Sequence, residues 1–132
     1  MAIVVGYVPT PEGRAAFERA IEEARLRRLR LIVVNASRGD ALVDPRFAST
    51  HDWAAVQARL TESGVEHETA RQVAATDPAD QLLRVAHEAN AELIVIGIRH
   101  RTPVGKFILG SSAQTVLLSA ECPVLAVKAA AH

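Results

Sequence analysis

The chain has 132 residues, of which 49% are hydrophobic and 23% charged, and its fifteen basic side chains balance fifteen acidic ones. This length and amino-acid composition predict a single domain over residues 1–132 and exclude the disordered, fibrous and collagen-like classes of protein. A net charge of zero gives no broad basic field, so we expect no nucleic-acid partner.

The cysteine and hydropathy patterns bear on cell compartment. Cys122 is the single cysteine, which excludes an internal disulfide and a thiolate zinc cluster supplied by one chain. No apolar run approaches the ~20 residues that cross a bilayer, and the N-terminus has no signal-peptide pattern. We therefore expect a cytoplasmic protein that does not enter a membrane. The histidines lack ligand spacing, so we expect no metal held by side chains alone.

Short apolar runs predict the strands. Four of them, residues 3–7, 31–34, 93–96 and 124–127, are rich in β-branched residues and show no polar alternation, which is typical of strands covered on both faces. A fifth run, residues 65–71, alternates in polarity and stays charged, which predicts a strand at a sheet edge.

Helical spacing separates these strands. The predicted apolar faces are Phe17, Ala20, Ile21 and Ala24; Trp53, Val56 and Leu60; Leu82, Val85, Ala86 and Ala89; and Ala113, Val116, Leu117 and Ala120. Pro11 marks the start of the first helix, and Asp77 followed by Pro78 marks the start of the third. Residues 37–50 are predicted to form a surface loop.

The alternation of strand and helix predicts a doubly wound, Rossmann-like α/β domain. It has a five-stranded parallel sheet of order 3-2-1-4-5 with helices on both faces. In that order the winding reverses between strands 1 and 4, and ligands bind in the crevice that opens at their carboxyl ends. The loops after Tyr7 and Ile96 therefore hold the predicted site.

The segment after the fourth predicted strand carries the groups of a phosphate site. Gly97 lets the backbone leave the strand in conformations closed to other residues, and Gly110 lets an anion approach main-chain N–H groups without meeting a Cβ. Ser111 and Ser112 open the last helix, whose N-terminus offers unpaired N–H donors and a positive dipole end. Cationic charge comes from Arg99, Arg101 and Lys106.

The spacing Gly97-x2-His100-x9-Gly110-Ser111 resembles the Gly-x2-Gly-x9-Gly-Ser/Thr motif of nucleotide-binding universal stress proteins. The opening strand, the five alternating units and the closing segment 110–128 are similar to that family as well. The resemblance implies a stress-response regulatory or signalling module that binds ATP, with Mg²⁺ on the phosphates, and that signals to an unknown protein partner. The implied nucleotide contacts are Val8, Pro9, Ala36, Gly97, Arg99, His100, Arg101, Gly110, Ser111 and Ser112.

Two positions depart from the family pattern. His100 takes the place of the second glycine, so its ring would project toward the phosphates, and Val8 takes the place of an aspartate that meets the adenosine end. Two alternatives therefore stay open: a dimeric interaction module of the same fold that binds no nucleotide, and a slow ATP hydrolase or transferase using His100. No catalytic residue is predicted, because the serines lack a Gly-x-Ser-x-Gly elbow and no base is paired with them.

The last predicted strand, residues 124–127, is apolar and lies at a sheet edge in the proposed order. Its unpaired backbone groups ought to be covered. The family resemblance implies that Val124 to Val127 pair antiparallel with the same strand of a second copy around a two-fold axis, and so predicts a homodimer.

Overall fold

The structure is a computed structural model that describes residues 1–37, 48–73, 76–99 and 110–129. The predicted phosphate-site residues His100, Arg101 and Lys106 lie outside this part of the chain, as does most of the predicted surface loop over residues 37–50.

Strand and helix alternate along the chain. The strands are β1 (Ala2–Gly6), β2 (Arg30–Ser37), β3 (His67–Val73), β4 (Ala91–Ile98) and β5 (Val124–Lys128), and the helices are α1 (Pro11–Arg27), α2 (Thr50–Ser63), α3 (Pro78–Glu88) and α4 (Ser111–Ser119). All strand pairs are parallel and the sheet order is β3-β2-β1-β4-β5. The predicted fold class and strand order are confirmed, and the charged run forms the edge strand β3.

The sheet separates two apolar layers because successive side chains of a strand point to opposite faces. Ile3 and Val5 of β1 join the layer built with α1 and α2, whereas Ala2 and Val4 join the layer built with α3 and α4. Both layers are densely apolar, so the central strands carry no polar alternation.

Side-chain caps fix where the helices begin. The Thr10 hydroxyl accepts a hydrogen bond from the Gly13 amide at 3.1 Å, directly ahead of Pro11 at the first helical position of α1. Asp77 caps α3 in the same way, accepting from the Ala79 amide at 2.8 Å. The predicted starts of both helices are confirmed.

The predicted apolar face of α4 is partly wrong. Val116 is buried, but Leu117 is 39% exposed and Leu118 is 78% exposed. The nine-residue helix packs mainly against α3 and only slightly against the sheet. It therefore buries a narrower stripe than a helix lying flat on the strands would.

Candidate functional site

A cavity of about 470 Å³ opens at the carboxyl ends of β1 and β4. This is where the strand order reverses, as the sequence predicts. One side of the cavity is apolar and is formed by Val34, Ala36, Leu82 and Ile96. These four side chains belong to the layer of α3 and α4, so the cavity lies on that face of the sheet.

The structure brings most of the predicted contacts to one place. The predicted residues that line the cavity are Val8, Ala36, Gly97, Arg99, Gly110 and Ser112. Pro9 and Ser111 are their chain neighbours but do not form the cavity wall. His100 and Arg101 fall outside the described residues, so their predicted contacts stay predictions.

The start of α4 is open toward the cavity. Gly110 is the N-cap residue, and no side-chain cap hydrogen bond closes the first turn within the part of the chain that the structure describes. A Cβ built on Gly110 meets none of the described atoms within 4 Å. Gly110 and Ser112 line the cavity, so the start of α4, where a helix has unpaired N–H groups and the positive end of its dipole, borders the cavity.

The structural role of Gly97 differs from the predicted one. It lies within β4, and among the described glycines only Gly64 has a positive φ, so the predicted special exit from the strand is wrong. A Cβ on Gly97 would instead overlap the carbonyl oxygen of Glu12, at well under 3.0 Å. The glycine lets the first turn of α1 lie directly against the end of β4.

Gly13, in the same turn of α1, makes a second close contact of this kind. A Cβ on Gly13 would overlap the carbonyl oxygen of Val8, again at well under 3.0 Å. Sequence reasoning missed this residue, although a glycine in the first turn of a predicted helix is unfavourable in itself and signals a close approach. Gly13 and Gly97 together hold the Val8 loop, α1 and β4 at contact distance around the cavity.

Asn35 is a second residue that sequence reasoning missed. It is fully buried; its Nδ2 donates to the Tyr7 carbonyl oxygen at 2.8 Å, and its Oδ1 accepts from the Ala48 amide at 2.7 Å. It thereby ties the end of β1, just ahead of Val8, to the segment that leads into α2. The signal was present as a lone amide at the end of the apolar run of β2.

Glu12 and Arg99 face one another at the cavity. The Glu12 Oε1 lies 4.0 Å from the Arg99 Nε, and the Glu12 side chain is 19% exposed while that of Arg99 is 78% exposed. They are the two charged side chains among the described residues that line the cavity. Arg99 was predicted as a phosphate contact, whereas Glu12 was not identified from the sequence.

Neither metal ligands nor a membrane span were found within the described ranges. There, no three His, Cys, Asp or Glu side chains lie close enough together to hold a metal ion. No helix of the same residues combines the length and apolar character needed to cross a bilayer.

The comparison with known families shows which family the chain belongs to. The model of the family described as "Universal stress protein family" matches residues 1–128. The chain belongs to the universal stress protein family. The family predicted from the glycine motif is therefore confirmed.

This universal stress protein has close relatives of nearly the same length. A universal stress protein of Mycolicibacterium smegmatis is 53% identical over 126 residues, which are 96% of each chain. The solved structure of a universal stress protein from Archaeoglobus fulgidus matches with a TM-score of 0.83 at 33% identity, covering 97% of this chain and 98% of that one. The structure of the universal stress protein from Archaeoglobus fulgidus in complex with dAMP matches with a TM-score of 0.76 at 28% identity and the same coverage.

Proposed function

We propose that this universal stress protein binds an adenine nucleotide, ATP with Mg²⁺, in the cavity between β1 and β4, and that it acts as a regulatory module in a stress response. The observation that carries the proposal is the composition of this one cavity, which is apolar at one side and opens at the other on the N-terminus of α4. The dAMP complex of the related Archaeoglobus fulgidus protein supports the choice of an adenine nucleotide.

The apolar side of the cavity suits the base. Ala36 and Val34 from β2, Leu82 from α3 and Ile96 from β4 offer aliphatic surface to the flat faces of adenine. The volume of about 470 Å³ falls within the range of about 300–1,000 Å³ that small-molecule sites occupy. We therefore place the base beside Ala36, with Val8 and Pro9 flanking it.

The polar side suits the phosphates. We place them at Gly97, Gly110, Ser111 and Ser112, where the first N–H groups of α4 donate to phosphate oxygens, and Arg99 supplies positive charge. His100 and Arg101 complete the proposed set. Mg²⁺ prefers oxygen ligands and several waters, and the Ser112 hydroxyl lines the cavity beside the proposed phosphates, so the residues present fit a phosphate-bound cation.

The described part of the site favours binding over hydrolysis. Rapid phosphoryl transfer needs an oriented water and a positioned base or cation. Among the described lining residues, Glu12 is the single carboxylate, and it faces Arg99 at 4.0 Å. We propose that the nucleotide changes how the protein meets a partner protein, and that turnover is slow.

Calorimetric titration with ATP and Mg²⁺ tests nucleotide binding. The variant Ala36→Phe fills the apolar side of the cavity, and Ala55→Phe adds the same side chain on the exposed face of α2 as a matched control. We expect the wild type and Ala55→Phe to bind alike, and Ala36→Phe to bind roughly tenfold or more weakly because it overpacks the site. An absence of heat with wild type at millimolar nucleotide would favour the interaction module that binds no nucleotide.

We propose further that two copies pair through β5. This strand lies at the edge of the sheet, and its Val124, Leu125 and Val127 are only half-buried within one chain. An apolar edge with unpaired backbone groups is a template for another strand, and a second copy around a two-fold axis satisfies both edges equally.

Ala126→Glu tests this pairing, because Ala126 is the exposed residue at the middle of β5. The variant places like charges on both copies near the axis, so we expect a dimer for the wild type and a monomer for Ala126→Glu in analytical ultracentrifugation. Ala54→Glu, on the exposed face of α2, should remain dimeric. A wild type that sediments as a monomer at high concentration would contradict the proposal.

A further inference from the structure

One carboxylate lies in the cavity where phosphates are proposed to bind. Glu12 is the second residue of α1; its side chain is mostly buried, and it lines the same cavity as Gly110 and Ser112. Within the described residues, Arg99 is the single cation at ion-pair distance from it. A phosphate tail would therefore enter a space that already holds a fixed negative charge.

The backbone of Glu12 is held at the cavity by close packing. The Glu12 carbonyl oxygen lies against Gly97, and the next residue, Gly13, lies against the carbonyl oxygen of Val8. The first turn of α1 is thus held on two sides, and the Thr10 cap holds its start. The N-terminal end of the helix also favours a negative side chain at this position. The Glu12 side chain therefore starts from a fixed point of the cavity wall.

Arg99 is shared between Glu12 and any bound phosphate. Its side chain is largely exposed, so it can turn from the carboxylate toward a ligand. A monophosphate carries less negative charge than a triphosphate, so Glu12 repels a monophosphate less. The repulsion is strong where the groups are partly shielded from water and weakens when a divalent cation neutralises the tail.

We propose that Glu12 is a specificity-determining residue that makes this site select nucleotides by the net charge of the phosphate tail. Glu12 disfavours free ATP relative to AMP, and Mg²⁺ bound to the phosphates removes most of this penalty. This inference rests on the proposed function, in which a nucleotide occupies the cavity between β1 and β4.

The test measures dissociation constants for AMP, ADP and ATP, with Mg²⁺ and with a chelator, in four proteins. They are the wild type, Glu12→Gln, the charge-conserving Glu12→Asp, and Glu22→Gln as a control at an exposed glutamate of the same helix. We expect Glu12→Gln to lower the dissociation constant of free ATP roughly tenfold. This is the size expected when one like-charge repulsion, partly screened by solvent, is removed. The dissociation constants of AMP and of the magnesium complex of ATP should change by less than about threefold. Both ligands carry less net negative charge than free ATP, so Glu12 repels them less.

Four results would be decisive. The inference is supported if the affinity for free ATP relative to AMP rises in Glu12→Gln. In Glu12→Asp and Glu22→Gln the same relative affinity should stay at the wild-type value. An equal weakening of all three nucleotides in Glu12→Gln would overturn it, because Glu12 would then be an acceptor for the nucleoside rather than a charge filter. If the wild type binds nucleotide tightly but the affinity for ATP relative to AMP is unchanged in Glu12→Gln, only the inference is overturned. If the wild type binds no nucleotide, both the proposed function and the inference are overturned. Thermal unfolding of each variant confirms that the fold is intact.

Discussion

The carbonyl oxygen of Glu12 occupies the space that a Cβ on Gly97 would need. Helix α1 and strand β4 therefore meet with no side chain between them, and their contact forms part of the wall of the cavity. The two residues are far apart in the sequence, yet the position of the Glu12 side chain depends on the absence of one at Gly97.

Gly97→Ala should disturb this contact. The new methyl group must push the first turn of α1 away from β4, and overpacking of this kind costs about 1–3 kcal/mol of unfolding free energy. Because Glu12 and the Val8 loop move with that turn, nucleotide affinity should fall as well. Chemical denaturation and calorimetric titration measure the two effects.

Gly110→Ala is the matched control for the other end of the glycine motif. Among the residues that the structure describes, none has an atom within 4 Å of a Cβ at Gly110, and the φ of −63° suits any residue. We expect a loss of about 1 kcal/mol or less, from the poorer N-cap alone. Equal losses in the two variants would show that the contact between Glu12 and Gly97 carries no special cost.

Asn35→Ala should destabilise the fold and loosen the site. It leaves the buried Tyr7 carbonyl and Ala48 amide without the side chain that bonds them, and each such loss costs about 1–3 kcal/mol. Nucleotide affinity should fall too, because Tyr7 precedes the Val8 loop. Gln57→Ala, on the exposed face of α2, should change neither property; a wild-type melting temperature for Asn35→Ala would contradict this role.

The start of α2 should respond to acid. Hydrogen bonds from the Ser49 hydroxyl at 2.9 Å and the Ser49 amide at 3.3 Å hold the pKa of Asp52 below its ordinary range. A lowered carboxyl pKa contributes stability that is present above the unfolded-state pKa, about 3.9, and is lost as the pH falls through the lower folded-state value. We expect the stability difference between wild type and Asp52→Asn to be largest at neutral pH and to shrink below about pH 4.

A double-mutant cycle isolates this capping box. In a Ser49→Ala background the two donor groups are reduced to one, so Asp52→Asn should produce a smaller pH-dependent difference than in the wild type. Denaturation curves recorded across the acid range provide the comparison. An identical pH dependence in both backgrounds would assign the effect to groups other than the Ser49 hydroxyl.

Cys122 should react slowly with thiol reagents. It is half-buried and packs against the layer of α3 and α4, and burial raises the pKa of its thiol. Less thiolate is then present at neutral pH than for an ordinary cysteine, and thiolate is the reactive form. Alkylation of the folded protein should be slower than that of the urea-unfolded chain and should accelerate as the pH rises. Equal rates for folded and unfolded protein at neutral pH would contradict this prediction.

The sequence by itself determined the fold class, the strand order, the edge position of β3 and the starts of α1 and α3. These features follow from local signals: apolar runs of strand length, helical spacing between them, and capping residues next to proline. Six predicted contacts also line one cavity, because a doubly wound sheet brings the carboxyl ends of β1 and β4 together.

The tertiary structure alone decided the closer arrangement of the site. The overlap between Gly97 and Glu12, the two bonds of Asn35 and the pairing of Glu12 with Arg99 join residues that are distant in the sequence. Leu117 is partly exposed for a similar reason, since α4 packs mainly against α3 rather than against the sheet. Local periodicity records which face of an element is apolar, whereas distances of a few ångströms between elements depend on how all the side chains pack at once.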